Sequence, residues 1–277
     1  MEGVGVCYPA TSMHRLAPEE LERIRPLVPP SDVAGHMTFV WAMLERRMAG
    51  EVFVDDPAAP RTAFACSGTG FYFALGAPQP ELVEPWLLAL ADALPSEEPG
   101  VLWATSDAWR TALDPLFPVR QQRTEYRFTP PPAVPPVDPP FGYQLVDLDA
   151  EWAGCLDESM DDFLVRVWGG PESAAAHTFG TALVAGVRVV SFCGACAIGG
   201  GEAEVEVQTA PAFGDRGLAT LVARAFLRQC VERGLRPAWT AAADNEASDR
   251  LARRLGFEPV RTITGYPLSL DATAAAA

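Results

Sequence analysis

The sequence predicts an α+β protein built on a mixed α/β sheet, and three observations support that class. The 277-residue chain is 49% hydrophobic, which is typical of a globular protein with a sizeable core. Short apolar runs bounded by Gly or Pro occur between stretches with helical periodicity. The second half of the chain passes from consecutive strands to a strand–helix–strand–helix–strand order.

The first half mixes helices and strands. Helices are predicted at 18–28, which opens on several glutamates, and at 36–49. The other elements predicted in this half are strands at 50–56, 61–68 and 70–76, a helix at 80–94, a strand at 101–106, a short helix at 107–117 and a strand at 119–130.

A proline-rich stretch, TPPPAVPPVDPP at 129–140, is the clearest boundary in the chain. Prolines at this density prevent helix formation and ladder pairing, and they favour an extended, semi-rigid connection. We therefore predict an N-terminal accessory domain over 1–137 and a second domain over 138–277.

The second half opens with a predicted strand, YQLVDLD, and a helix over EWAGCLDESMDDFL. Asn245 or Asp244 should cap the last helix and Gly256 should end it. The elements predicted between and after these are strands at 179–185, 187–197 and 203–209, a helix at 216–233, a strand at 237–244, a helix at 246–255 and a closing strand at 258–268.

The rest of this half is organised around residues 203–234. In the strand AEVEVQT, Glu204 and Glu206 alternate with valines, so both carboxylates should lie on one face of the sheet. The following turn contains Gly214 and Gly217, which permit unusual backbone angles, and it leads into a long amphipathic helix. Backbone N–H groups at a helix start lack intrahelical partners and attract anions, so the turn predicts a phosphate site.

Two stretches resemble the cofactor motifs of the GNAT N-acetyltransferases: P-x-F-x-x-R-G-L-A-T at 211–220 and DNEASDRLARRLGF at 244–257. The turn matches the family pattern at Gly217 and Ala219 but has Gly214 at its first position. The likeness is strongest over 177–266. Within the family, the chain resembles the subfamily of zwittermicin A resistance proteins. This likeness implies a GNAT fold in the C-terminal half and a degenerate GNAT-like N-terminal domain. An unrelated α+β cap is the alternative for the N-terminal half.

The resemblance implies transfer of acetyl from acetyl-CoA to a primary amine of a small molecule, by direct attack on the thioester. It places the pyrophosphate in the turn formed by Gly214, Asp215, Arg216, Gly217, Leu218, Ala219 and Thr220. It places the pantetheine arm and thioester against the main chain of Val207, Gln208 and Thr209, and against Asn245 and Ser248.

For the base that deprotonates the amine, the resemblance points to Glu204. Glu202, Glu204 and Glu206 lie at two-residue steps, and mutual repulsion with any burial would raise one carboxyl pKa toward neutrality. Glu206 is the next candidate, and His177 is a lesser one. The alternative is a solvated, charged strand face without a catalytic role.

The general acid is less clearly marked. Family members often carry a tyrosine seven residues after the asparagine, and this chain has Ala252 there. Ser248, Tyr266 or bulk water would then protonate the leaving thiolate. The missing tyrosine leaves open a non-catalytic acyl-CoA-binding or sensing protein. The tandem GNAT-like architecture that the resemblance implies also permits an acyl- or aminoacyltransferase that uses a larger donor.

Charge suggests what the protein binds. The net charge of −15 argues against nucleic acid and membrane partners, yet residues 216–261 carry a balance of +4, which suits a polyphosphate ligand. An arginine-rich solvated helix face is the alternative reading. The acids and tryptophans of 150–170 suit a cationic amine acceptor, unless they form an ordinary acidic helix. The acids in this segment are Glu151, Asp157, Glu158, Asp161 and Asp162.

Cysteine usage and the N-terminus predict the compartment. Six cysteines are scattered along the chain, and the first residues lack a secretion signal, so we expect reduced thiols in a cytoplasmic protein. Cys193 and Cys196 are expected to pack in the core rather than bind metal, because no second pair accompanies them. No metal is expected, and a homodimer is compatible with the sequence.

Overall fold

The computed structural model describes residues 13–30, 36–94, 100–129, 134–156 and 160–268. The chain groups into two compact units. The first comprises residues 1–30, 50–121 and 264–277, and the second comprises 31–49 and 122–263. Each unit draws on both sides of residue 137. The division into domains over 1–137 and 138–277 stays a prediction.

The described elements are numbered in chain order. Up to residue 128 they are β1 (His14–Arg15), a 3-10 helix (Pro18–Leu27), α1 (Thr38–Leu44), β2 (Gly50–Val54), β3 (Thr62–Ser67), β4 (Phe71–Gly76), α2 (Pro80–Ala93), β5 (Gly100–Ala104), α3 (Asp107–Leu113) and β6 (Gln121–Phe128). After the proline-rich stretch they are β7 (Gln144–Asp147), α4 (Ala150–Ala153), α5 (Phe163–Val167), α6 (Pro171–His177), β8 (Gly180–Ala185), β9 (Arg188–Gly199), β10 (Glu202–Thr209), a 3-10 turn (Pro211–Phe213), α7 (Leu218–Glu232), β11 (Arg236–Ala242), α8 (Glu246–Arg254) and β12 (Phe257–Leu268).

In the first unit the strands follow the order β1-β2-β3-β4-β5, and the end of β12 pairs with β5. Only β4 and β5 are parallel among these pairs. Large aromatic side chains fill the core: the rings of Phe64 and Trp109 meet edge to face at 5.4 Å, and Trp86 packs beside Phe64. The indole of Trp109 donates to the carbonyl of Gly76 at 3.0 Å, so its one polar atom is satisfied.

The second unit holds the strand order β6-β11-β10-β9-β8-β7. β10 and β11 are parallel, whereas β11 with β6 and each pair from β10 to β7 are antiparallel. Helix α7 packs on β8, β9 and β10 through a buried stripe that includes Leu218, Val222, Phe226 and Cys230. That stripe recurs at three- and four-residue steps, as the sequence predicts.

Several predicted elements differ in extent. The helix predicted at 36–49 is only Thr38–Leu44, because Arg46 takes a left-handed φ of 57°. The predicted 151–164 helix is divided into α4 and α5, and α4 ends at Ala153 with Gly154 as its C-cap. The helix predicted from 216 begins at Leu218, because Gly217 has a φ of 77° that helical residues do not adopt.

Cys193 and Cys196 are buried free thiols in β9, and burial raises the pKa of both well above the usual value. Both therefore remain neutral and pack as small apolar side chains. Within the described residues, none of the helices has the length and apolar character needed to cross a bilayer.

Candidate active site

A gap opens between β10 and β11. Their parallel ladder runs only from Glu202↔Arg236 to Glu204↔Ala238, although the strands continue to Thr209 and Ala242. Beyond the ladder, β10 stays paired with β9 on one side and β11 with β6 on the other. The facing edges of β10 and β11 therefore present main-chain groups that no longer bond across the gap.

A cavity of about 480 Å³ occupies this gap and extends to the starts of α7 and α8. It collects most of the residues that the sequence selected. The lining includes Glu206, Val207, Gln208, Thr209, Gly214, Asp215, Gly217, Leu218, Ala219, Thr220, Asn245 and Ser248. Two of the predicted residues, Glu204 and Arg216, do not line it.

The N-terminus of α7 forms one wall of the cavity. No side chain caps this helix, so its first backbone N–H groups remain available to a ligand. Gly217, at the N-cap, has a φ of 77°, and a Cβ built there would meet nothing within 4 Å. At Gly217 the wall is therefore open, and the positive end of the α7 dipole faces the cavity. Such a surface can bind an anion such as a pyrophosphate.

The N-terminus of α8 differs, because Asn245 caps it. The Asn245 side chain accepts a hydrogen bond from the backbone N–H of Ser248 at 3.0 Å. The Ser248 hydroxyl in turn accepts from the indole of Trp239 at 3.0 Å. Ser248 can therefore point its own proton into the cavity, which both residues line.

Arginines give the cavity a positive side. Arg250 and Arg254 lie one turn apart on α8 and line it, as does Arg123 from β6, although Arg250 pairs with Glu246 at 3.0 Å. The guanidinium of Arg123 donates to the carbonyl of Thr240 at 3.0 Å. Arg216 instead lies over the ring of Phe213 at 5.3 Å and donates to the carbonyl of Ala212. Arg216 therefore contacts the residues of the turn without lining the cavity.

Glu206 is the carboxylate that lines the cavity. Its Oε1 accepts a hydrogen bond from the side-chain amide of Gln208 at 3.0 Å. Burial raises the pKa of Glu206 to about 7, and the negative charges of Asp161 and Glu204 add to the rise. The Gln208 hydrogen bond and Arg123 oppose it. A half-ionised carboxyl at neutral pH can both accept and return a proton.

Glu204 is enclosed in the second unit, with its side chain 3% exposed. Its carboxylate accepts from the Thr240 hydroxyl at 2.9 Å and from the Thr38 hydroxyl at 3.5 Å. The imidazole Nδ1 of His36 lies 3.5 Å from the same carboxylate. Because Glu204 is enclosed by these contacts, it does not lie on a solvated strand face. It also does not line the cavity that Glu206 lines.

Comparisons with known proteins identify the family to which the chain belongs. The family model described as GNAT acetyltransferase matches residues 33–266, which is most of the chain. The chain belongs to the GNAT acetyltransferase family. The uncharacterized N-acetyltransferase YdfB of Bacillus subtilis (strain 168) is 27% identical over 233 residues, covering 83% of this chain and 89% of that protein.

Solved structures show the same fold. A GCN5-related N-acetyltransferase-like protein from Streptococcus suis 89/1591 superposes with a TM-score of 0.66 at 23% identity, covering 90% of this chain and 98% of that one. A tandem GNAT protein from the clavulanic acid biosynthesis pathway superposes with a TM-score of 0.58 at 13% identity, covering 93% and 98%. The predicted GNAT fold and N-acetyltransferase family are thus confirmed.

Position 252, where the family resemblance implies a tyrosine as general acid, holds an alanine in this GNAT protein. Ala252 is fully buried in α8. Tyr266, an alternative acid, lies in the first unit and donates to the Asp114 carboxylate at 2.7 Å, and burial raises its pKa. Of the side chains considered as acid, only Ser248 lines the cavity.

The segment predicted to meet the acceptor is only partly described, since Asp157 and Glu158 lie outside the described residues. Asp161 and Asp162 both pair with Arg166, at 3.3 and 2.6 Å, so one guanidinium offsets only one of their two negative charges. His177 stacks on Trp168 and does not line the cavity.

Sequence reasoning did not select several lining residues of this GNAT site. Arg250 and Arg254 carried a usable signal, because they repeat at a four-residue step in an arginine-rich segment. Arg123 carried none, because only the β11–β6 pairing brings β6 to the cavity.

Proposed function

We propose that this GNAT protein transfers acetyl from acetyl-CoA to a primary amine of a small molecule, by direct attack of the amine on the thioester. One observation carries the proposal. A single cavity contains the uncapped start of α7, the open edge of β10 and a carboxylate, Glu206, whose pKa lies near 7. These are the parts that such a transfer needs: an anion cradle, donors for an oxyanion and a base.

The donor is proposed to bind with its pyrophosphate against the turn at 214–220, where the backbone N–H groups at the start of α7 are the principal donors. Arg254 adds positive charge on the neighbouring helix, and Arg250 lines the cavity beside it while paired with Glu246. The pantetheine arm would then follow the open edge of β10 at 207–209, with Asn245 and Ser248 on the opposite side.

Glu206 is proposed as the base rather than Glu204, because Glu206 lines the cavity and Glu204 is enclosed. An alkyl amine has a pKa of about 10, so only about one molecule in a thousand is neutral at pH 7. A carboxylate near the thioester can attract the ammonium and accept its proton through a water molecule. This assistance is worth about 10²–10⁴ in rate.

The other steps need less assistance. A backbone N–H on the open edge of β10 can donate to the developing oxyanion, an interaction worth about 3 kcal/mol of barrier. The leaving thiol has a pKa of about 8.5, so it departs as a thiolate without a strong acid. Ser248 can supply a hydrogen bond to the thiolate, and solvent supplies the proton.

Kinetics of two glutamine variants test the proposal. Acetyl-CoA is offered with spermidine, glucosamine and tyramine as probe amines, and free thiol is recorded. Glu206→Gln should lower kcat/KM for the amine by about 10²-fold or more at pH 7, and the loss should shrink as pH rises. Glu204→Gln is the matched control: it can keep the Thr240 hydrogen bond, and the loss of its charge can only make Glu206 more ionised, so kcat/KM at pH 7 should change by about twofold at most.

Two results would contradict the proposal. Full activity of Glu206→Gln at neutral pH would remove the base. Tight acetyl-CoA binding with no amine-dependent thiol release from any probe would favour the non-catalytic alternative.

A further inference from the structure

The side chain of Gln208 joins two parts of the site. Its Oε1 accepts from the backbone N–H of Asp161 at 2.8 Å, and its Nε2 donates to the backbone carbonyl of Asp161 at 3.1 Å. The same Nε2 donates to Oε1 of Glu206 at 3.0 Å. Two protons and one oxygen of a single amide are therefore all engaged.

These partners allow only one orientation of the amide. A flipped amide would place its oxygen against the Glu206 carboxylate and against the carbonyl of Asp161, which are both acceptors, and its NH₂ against a donor. The far end of the bridge is itself held, because the Asp161 carboxylate accepts from the backbone N–H of Phe163 at 2.9 Å. Gln208 is thus fixed by the segment before α5 and presents one N–H to Glu206.

We propose that Gln208 is a positioning residue, whose side-chain amide fixes the Glu206 carboxylate in the cavity and favours its ionised form. The inference rests on the proposed function of Glu206 as base. It assigns the side chain of Gln208 a task separate from any main-chain contact with the donor.

The surroundings explain why such a bridge matters. Burial opposes ionisation of Glu206, and two like charges face it, Asp161 from the segment before α5 and Glu204 on its own strand. Arg123 on β6 and the Gln208 amide favour ionisation. On β9, the neighbouring Cys193 and Cys196 are neutral thiols. Without the amide, Arg123 is left to oppose burial and the two like charges that hold the proton on Glu206.

The test measures the ionisation of Glu206 directly. Protein labelled with ¹³C at the glutamate carboxyls is titrated by NMR, and the Glu206 signal is assigned by its loss in Glu206→Gln. Gln208→Met keeps the length of the side chain and removes its hydrogen bonds. It should raise the Glu206 pKa by about one unit, because a hydrogen bond to a carboxylate favours the charged form.

Two further variants complete the test. Gln208→Asn is too short to span both partners but stays polar, and it should give the same upward shift if Gln208→Met does not fold. Asp161→Asn leaves the backbone bridge intact and removes a facing charge, so it should lower the Glu206 pKa. A Glu206 pKa unchanged in the Gln208 variants would overturn the inference.

Kinetics separate this inference from the function on which it rests. The pH midpoint of kcat/KM should move upward in Gln208→Met with the NMR pKa, which a merely structural role would not produce. An unchanged Glu206 pKa in the Gln208 variants, with Glu206→Gln still slow, would overturn only the role of Gln208. Full activity of Glu206→Gln would overturn the proposed function, and the role of Gln208 with it.

Discussion

Replacing Gly217 with glutamate should abolish acetyl-CoA binding while leaving the fold in place. Gly217 has a φ of 77°, and a Cβ there would enter open space in the cavity rather than strike a neighbour. Any L side chain at this φ costs about 1–2 kcal/mol of stability. A glutamate side chain would extend over the uncapped start of α7, where the pyrophosphate is proposed to lie.

The magnitude follows from charge. A carboxylate about 5 Å from one phosphate charge, at an effective dielectric constant of about 20, opposes binding by about 3 kcal/mol. That is more than about 100-fold in Kd. Gly217→Gln is the matched control, because it carries the same backbone strain and bulk without the charge. The difference between the two variants reports the electrostatic part alone.

Isothermal titration calorimetry with acetyl-CoA gives the affinities, and thermal unfolding confirms that both Gly217 variants are folded. We expect weaker binding in Gly217→Gln and no measurable binding in Gly217→Glu. Wild-type affinity in Gly217→Glu would refute the assignment of this helix start as the anion cradle.

Three further predictions concern an arginine substitution, the pH dependence of stability and a truncated fragment. Arg254→Ala should raise the Kd for acetyl-CoA about fivefold at low salt and less at 0.5 M NaCl. Arg253→Ala is the control and should leave the Kd unchanged, because Arg253 is paired with Asp249 at 2.9 Å. Equal effects of the two variants would contradict this. Burial, opposed by Arg261, raises the pKa of Glu125 from 4.5 to about 7. The stability that protonated Glu125 contributes is therefore full below pH 4.5 and is lost as pH rises through 7. A Tm that falls as steeply with pH in Glu125→Gln as in wild type would refute this. The fragment 138–277 should be poorly soluble because it lacks β6, which pairs with β11, and a soluble, fully active fragment would contradict that.

Local pattern predicted the parts of the site that are local. The two-residue alternation located β10, the apolar stripe located α7, and the glycines located the turn between them. The start of α7 was misplaced by two residues, because Gly217 takes a left-handed φ and delays the helix. The cap of α8 was predicted at Asn245 or Asp244, and the structure shows that Asn245 is the cap.

The roles of the two glutamates were not predictable from the strand. Period two puts Glu204 and Glu206 on one face but does not say what covers that face. Thr38 lies 166 residues from Glu204 in sequence and reaches its carboxylate. Contacts at that separation leave no mark in a local pattern. The gap between β10 and β11 is equally invisible, because it depends on where a parallel ladder stops.

The most direct test of the central claim is a crystal structure with acetyl-CoA bound. The account predicts pyrophosphate oxygens within about 3.2 Å of backbone N–H groups in the turn at 214–220. It also predicts the thioester in the gap between β10 and β11, separated from the Glu206 carboxylate by no more than one water molecule. Acetyl-CoA bound elsewhere, or a thioester beyond the reach of Glu206, would contradict the account.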